Sequence, residues 1–316
     1  MSPLYEAQVD LLLRVTPAVA SEACFGLKGG TAINLFLRDM PRLSVDLDLT
    51  YLPLEPRADA LARVAEALDR VATRLQPLGI QAVMQREACK LIARTADAVV
   101  KVEVSRMMRG TLYLVRERVL CPAAQERFAR FVAMPVVHKA EVFAGKLVAA
   151  LDRQHPRDLF DTRFIHDRID REGVTEELRV AFLAGLLSSS RPPEELLRSW
   201  AKDPASAFRR AFTGMAREPF TPEDHARVFT SLGEALPRLL GPEERGLLFG
   251  FVCLEGVGLP GRTADLSGVR WKRLNLEKLR AKDCGGWEQA VNVLSDALED
   301  GGFSGRLSPV EPGGPG

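Results

Sequence analysis

The sequence predicts an α+β chain: a mixed or antiparallel sheet with helices on one side, then a helical second half. Three observations carry this. Runs with strand character cluster before residue 137. From His138 to about Leu298, helical spacing of apolar residues dominates and strand candidates are few. The first half lacks the regular strand–helix–strand alternation that a parallel sheet requires. No internal repeat of fixed period is visible.

The elements follow in order. Residues 5–16 read as an amphipathic helix with Val9, Leu12, Leu13 and Val15 apolar, and Pro17 is expected to end or kink it. Cys24 to Lys28 is a short, mostly apolar run that stops at Gly29-Gly30, a strong turn signal. Thr31 to Arg38 reads as a short helix, and Pro41 closes that stretch. Ser44 to Tyr51 mostly alternates polar and apolar residues, the mark of a strand. Leu61 to Leu75 places Val64, Leu68, Val71 and Leu75 on one helix face, and Gly79 breaks the chain. Strand-like runs follow at 80–85, 89–95, 98–105, 112–120 and 131–137. The expected division is an α/β core at 1–137 and a helical domain at 138–300. The Gly- and Pro-rich stretch 301–316 is expected to be a flexible tail.

Composition narrows the class. The 316 residues carry 43 basic and 42 acidic side chains, a net charge of +1. That excludes a binder driven by bulk positive charge, though not a local basic patch. With 46% apolar and 27% charged residues, wholesale disorder and collagen are excluded. No run approaches the roughly 18 apolar residues of a membrane helix, and no secretory signal is expected at the start. The five cysteines are far apart, which disfavours a disulfide framework and a Cys-x-x-Cys zinc site. A reducing cytoplasm fits.

The most informative segment runs from Lys28-Gly29-Gly30-Thr31 to Ser44-Val45-Asp46-Leu47-Asp48-Leu49. Side chains alternate along a strand, so Asp46 and Asp48 share one face while Val45, Leu47 and Leu49 point into the core. Two carboxylates on one rigid face suit a hard cation such as Mg²⁺. The glycine turn leads into a helix whose first amides lack partners, and such a turn holds a phosphate. An Asp-x-Asp pair alone is usually a strand's solvated face; the glycine turn before it makes a nucleotide–metal site the better reading. Gly29, Gly30, Thr31 and Ser44 are the expected nucleotide contacts. No Walker loop occurs. Glu103, in the alternating run Val100 to Ser105, is a candidate third carboxylate, and a solvated strand face is equally open there.

A second cluster lies in 138–161. Lys146 sits beside the apolar stripe Phe143, Leu147 and Leu151, where a lysine can be partly buried and clamp a phosphate. Asp158 and Asp161, three apart, meet on one helix face. They could orient Lys146, activate an acceptor hydroxyl, or cap a helix that starts after Pro156. Two locally basic runs could meet RNA: Arg106, Arg109, Arg116 and Arg118, and the stretch from Arg270 to Lys282 with Trp271 inside it.

The glycine turn with Thr31, the Asp46-x-Asp48 strand and the block Ala144-Gly145-Lys146-Leu147 … Arg157-Asp158-x-x-Asp161 resemble the AbiEii-type nucleotidyltransferase toxins of bacterial type IV toxin–antitoxin (abortive infection) systems. The likeness is firmest over residues 20–165. It implies a polymerase-beta-like nucleotidyltransferase core, a helical C-terminal domain, and Mg²⁺-dependent transfer of a nucleoside monophosphate from an NTP. The implied acceptor is an RNA, the 3′ end of tRNA, with translation blocked in consequence. It implies nucleotide and metal roles for Gly30, Thr31, Asp46 and Asp48, and catalytic roles for Lys146 and Asp158 or Asp161. A cognate antitoxin, acting genetically rather than in a stable complex, is the other implied partner. Nucleotidylation of a protein side chain and a non-catalytic nucleotide-binding module remain open.

Overall fold

Seven of the period-two runs pair into one sheet in a computed structural model that describes residues 1–299. The expected tail from Gly301 lies outside the described residues. In chain order the strands are β1 (Phe25–Lys28), β2 (Asp46–Tyr51), β3 (Gln81–Gln85), β4 (Lys90–Arg94), β5 (Val99–Arg109), β6 (Arg116–Val119) and β7 (Ala133–Val136). Their order across the sheet is β3-β4-β5-β2-β1-β7-β6. The sheet is mixed: β2 runs parallel to β5 and β1 parallel to β7, and the remaining pairs are antiparallel.

Helices α1 (Pro3–Ala20) and α3 (Arg57–Leu75) cover one face. Their apolar stripes join Leu27, Leu47, Leu49, Val100, Val102 and Val104 in a first core cluster. Pro17 lies inside α1 and does not end it, so of the two outcomes expected there the stop does not occur. A helix-interior proline costs about 3 kcal/mol or more, but burial of Val15, Ala18 and Val19 on both sides of it holds the last turn.

Between β1 and β2 the chain forms α2 (Gly29–Thr31), which continues as a wider π-helical stretch, Ala32–Leu37. Of the run 112–120 only Arg116–Val119 is strand, and the short helix α4 (Pro122–Phe128) after it was not legible from periodicity. The second half is helical: α5 (Lys139–Asp152), α6 (Pro156–Glu172), α7 (Glu176–Ser188), α8 (Pro193–Leu197), α9 (Ala205–Ala211), α10 (Pro222–Leu239), α11 (Pro242–Val252), α12 (Ser267–Lys282) and α13 (Cys284–Glu299). A second apolar cluster unites these helices. Helices α5 and α12 reach back to the first half, α5 against α2 and α12 against β5. The polar face of β2 therefore looks into a cleft beneath α5 rather than into open water.

Candidate active site

The cleft is about 230 Å³ and its lining is mostly charged. Strand β2 supplies the floor. Asp46 and Asp48 point the same way from it, and both line the cleft. Asp46 faces Arg157 at 3.6 Å. Asp48 makes no hydrogen bond or ion pair among the described residues. Burial pushes its carboxyl above the ordinary aspartate range; Lys28 opposes that shift and the like charge of Asp46 adds to it. A half-buried carboxylate with a second beside it and no ion pair within 4 Å leaves oxygen lone pairs that a cation could take. Two hard oxygen donors on one strand face fit a divalent metal ion.

The glycines are dictated by crowding at this floor. Gly29 has φ +71°, in the left-handed region, and a Cβ there would run into the Asp48 carboxylate. A Cβ on Gly30 would lie 2.8 Å from Arg42 Nη2 and 3.1 Å from Ser44 Oγ. Thr31 is fully buried. Its hydroxyl donates to the Asp46 carbonyl at 2.5 Å and lies 2.9 Å from Ser44 Oγ, tying the end of α2 to the start of β2. Thr31 thus holds the floor in shape. Gly30 and Ser44 line the cleft; Gly29 and Thr31 do not.

The roof comes from α5 and α6. Lys146 is 6% exposed and lies between two carboxylates, 2.9 Å from Asp158 and 3.1 Å from Asp161. It is not a solvated surface lysine. Asp158 also takes Arg153 Nε at 2.5 Å. Asp161 is completely buried and takes Arg42 through Nε at 2.8 Å and Nη2 at 2.6 Å, with Asn34 Nδ2 at 3.0 Å. Burial opposes ionisation of both carboxylates. Lys146 and Arg153 outweigh it at Asp158, and Arg42 and Lys146 do so at Asp161, so both are held below the ordinary range. Carboxylates stabilised in this way are poor proton acceptors. Both aspartates hold Lys146, one of the arrangements the sequence left open; Asp158 lines the cleft and Asp161 does not.

Glu103 pairs in register with Asp48 across β2 and β5, as the alternation suggested, and lines the cleft. It is exposed, however, and bound to Lys90 at 2.8 Å, because Lys90 lies opposite it on β4. Among the described residues no three His, Cys, Asp or Glu side chains gather into a metal site. Glu103 thus lines the cleft beside Asp48 with its carboxylate paired to Lys90.

The basic runs are drawn in part into internal contacts. Arg109 is buried and donates to the Arg106 carbonyl at 3.0 Å. In the second run Lys272 is buried and donates to the Arg191 carbonyl at 2.9 Å. Arg270 pairs with Asp265, and Arg273 with Glu277 and with the Leu254 and Glu255 carbonyls. Those three cations are held by internal contacts, whereas Lys278, Arg280 and Lys282 are exposed and Trp271 keeps 37% of its surface exposed. Lys101 and Arg106 on β5 are exposed and, among the described residues, make no ion pair. Arg42 was missed from the sequence. Its signal was weak: one arginine in a turn, paired with a carboxylate 119 residues away. Lys28, Arg153 and Arg157 were visible beside the motifs but carried no assigned role.

A mixed sheet that presents an Asp-x-Asp strand beside a glycine turn, roofed by a lysine-bearing helix, has the frame of a nucleotidyltransferase. The family model described as nucleotidyl transferase AbiEii toxin, type IV TA system, matches residues 10–239, and the chain belongs to that toxin family. Among solved structures it is similar to MenT4, a nucleotidyltransferase toxin of Mycobacterium tuberculosis H37Rv. The TM-score is 0.55 and the identity 18%, over 92% of each chain, a likeness of fold. No curated protein sequence matches the chain significantly. No helix among the described residues is long and apolar enough to cross a membrane.

Proposed function

We propose that this toxin transfers a nucleoside monophosphate from an NTP to an RNA acceptor, the 3′ end of tRNA, in a Mg²⁺-dependent reaction, and so blocks translation. The observation that carries the reading is the unpartnered Asp48 beside Asp46, at the floor of a cleft ringed by cations. Asp46 and Asp48 would hold the metal ion, which supplies charge neutralisation at the reacting phosphate and on the departing pyrophosphate.

The first amides of α2 would face a phosphate beside Gly30, whose missing side chain lets Arg42 and Ser44 close in around the turn. Lys146, Arg153 and Arg157 line the cleft and present positive charge to a triphosphate. Asp158 and Asp161 fix Lys146 between them, so its ammonium needs no reorganisation as charge develops. Arg42 locks Asp161 from the side of the glycine turn. Exposed Lys101 at the rim and Arg106 further along β5 offer local positive charge to an RNA backbone, which reconciles the +1 balance with a nucleic-acid acceptor.

The test is incubation with each α-labelled NTP and Mg²⁺, with total tRNA and with a tRNA-free protein fraction separately. Label on tRNA supports the reading. Label on protein alone moves the acceptor to a side chain, and NTP binding without pyrophosphate release reduces the protein to a binding module.

A further inference from the structure

A second cavity, of about 270 Å³, is lined by Lys28 and by residues of α5 and α7. It continues the same strand face. Thr50 lines it and stands two residues past Asp48, about 6.6 Å along β2. The walls are small residues of two facing helices: Gly145 and Ala149 on α5, and Ala181, Ala184 and Gly185 on α7. Gly145 borders open space, whereas Gly185 lets Val148 of α5 approach closely, so the small residues leave room on the α5 side of the cavity. A mostly apolar lining with a few convergent polar groups is the usual make-up of a small-molecule pocket, and the volume lies near the lower end of the roughly 300–1,000 Å³ of such sites.

Three polar groups converge on it. Lys28 pairs in register with Asp48 and lines the cavity, and its ammonium makes no hydrogen bond or ion pair among the described residues. Burial lowers its pKa, and Asp48, Glu103 and Glu141 pull the other way, so it lies within the field of both the cleft and the cavity. Glu141 accepts from the Leu112 amide at 2.9 Å and the Tyr113 amide at 3.1 Å, which fixes its carboxyl and leaves each oxygen one further lone pair. Ser188 is 6% exposed and its hydroxyl has no hydrogen-bond partner. A buried hydroxyl left without a partner is a cost that a ligand would relieve.

We propose that this cavity is the nucleoside pocket of the transferase, with the base between α5 and α7, its edge read by Glu141 and Ser188, and Lys28 bridging base side and phosphate side. The proposal rests on the nucleotidyltransferase reading of the neighbouring cleft and deepens it. The triphosphate lies over Asp46 and Asp48, and the sugar and base extend along β2 past Thr50. Burial pushes the Glu141 carboxyl up to about 7, so it can donate as well as accept near neutral pH.

Gly145 gives a clean test. A Cβ there meets nothing within 4 Å, and leucine is a better helix former than glycine. Calorimetric titration of the full chain with each of the four NTPs, and with tripolyphosphate as a probe of the phosphate site alone, is run on wild type and Gly145→Leu in Mg²⁺. The expected result is a loss of at least about tenfold in NTP affinity with tripolyphosphate affinity unchanged. Glu141→Gln is expected to change the ranking of the four NTPs, which a merely structural role would not do. If Gly145→Leu binds every NTP as wild type does, the nucleoside pocket is wrong while the transferase reading stands. If wild type binds neither tripolyphosphate nor any NTP, both fall together.

Discussion

Replacing Asp161 with alanine should unfold the roof of the site before it reports on chemistry. The carboxylate is completely buried and answers Arg42 twice, Asn34 once and Lys146 once. Arg42 is itself 2% exposed. Its remaining side-chain hydrogen bond is Nη1 to the Leu43 carbonyl at 2.8 Å. Truncating Asp161 therefore strands a buried guanidinium and leaves Lys146 with Asp158 alone. Breaking a buried ion pair from one side costs about 3–5 kcal/mol, a large part of the roughly 5–15 kcal/mol that stabilises a domain. At roughly 2–4 °C per kcal/mol for chains of 150–250 residues, the melting midpoint should fall by about 10 °C. Asp161→Asn keeps one acceptor and the shape, and should lose less. Thermal melts followed by circular dichroism, with urea unfolding alongside, measure both. A loss below about 1 kcal/mol for Asp161→Ala would refute the reasoning, because a buried unpaired arginine cannot be that cheap.

Further outcomes follow from the same geometry. Asp48→Asn removes an unpartnered carboxylate whose ionisation burial opposes, so stability should hold or rise in urea unfolding while transfer falls by more than about 10²-fold. Gly30→Ala places a Cβ 2.8 Å from Arg42 Nη2, so it should weaken tripolyphosphate binding and lower the melting midpoint together. Glu141 has a folded pKa raised from 4.5 to about 7. Between those values the folded state holds a proton that the unfolded state has released, so its contribution lowers stability as pH rises from about 4.5 to 7 and is constant above that. Urea midpoints at pH 5 and pH 7.5 should show a smaller difference in Glu141→Gln than in wild type; an unchanged difference would contradict the shift.

Much of the site was legible because its geometry is local. Alternation alone puts Asp46 and Asp48 on one strand face, and the paired glycines mark the turn before them. The cross-strand register that sets Glu103 beside Asp48 also follows from alternation once the two strands are neighbours. What periodicity could not show was the partner of each charge. Lys90 neutralises Glu103 because β4 lies antiparallel to β5, a fact of topology. Arg42 meets Asp161 because α6 folds back over the glycine turn. Arg270, Lys272 and Arg273 read as a cationic surface in the sequence, yet their partners are supplied by tertiary neighbours and backbone carbonyls. The helix through Pro17 belongs to the same class, since burial beyond the proline outweighs a local rule.

The central claim is that Asp46 and Asp48 carry Mg²⁺-dependent nucleotidyl transfer to tRNA. The most direct measurement is transfer of label from α-labelled NTP to total tRNA by wild type and by Asp48→Asn, each shown to be folded by its melting curve, with and without Mg²⁺. Labelled tRNA from wild type with Mg²⁺, and none from the variant or after chelation, is the predicted result. Equal labelling by a folded Asp48→Asn protein would contradict it.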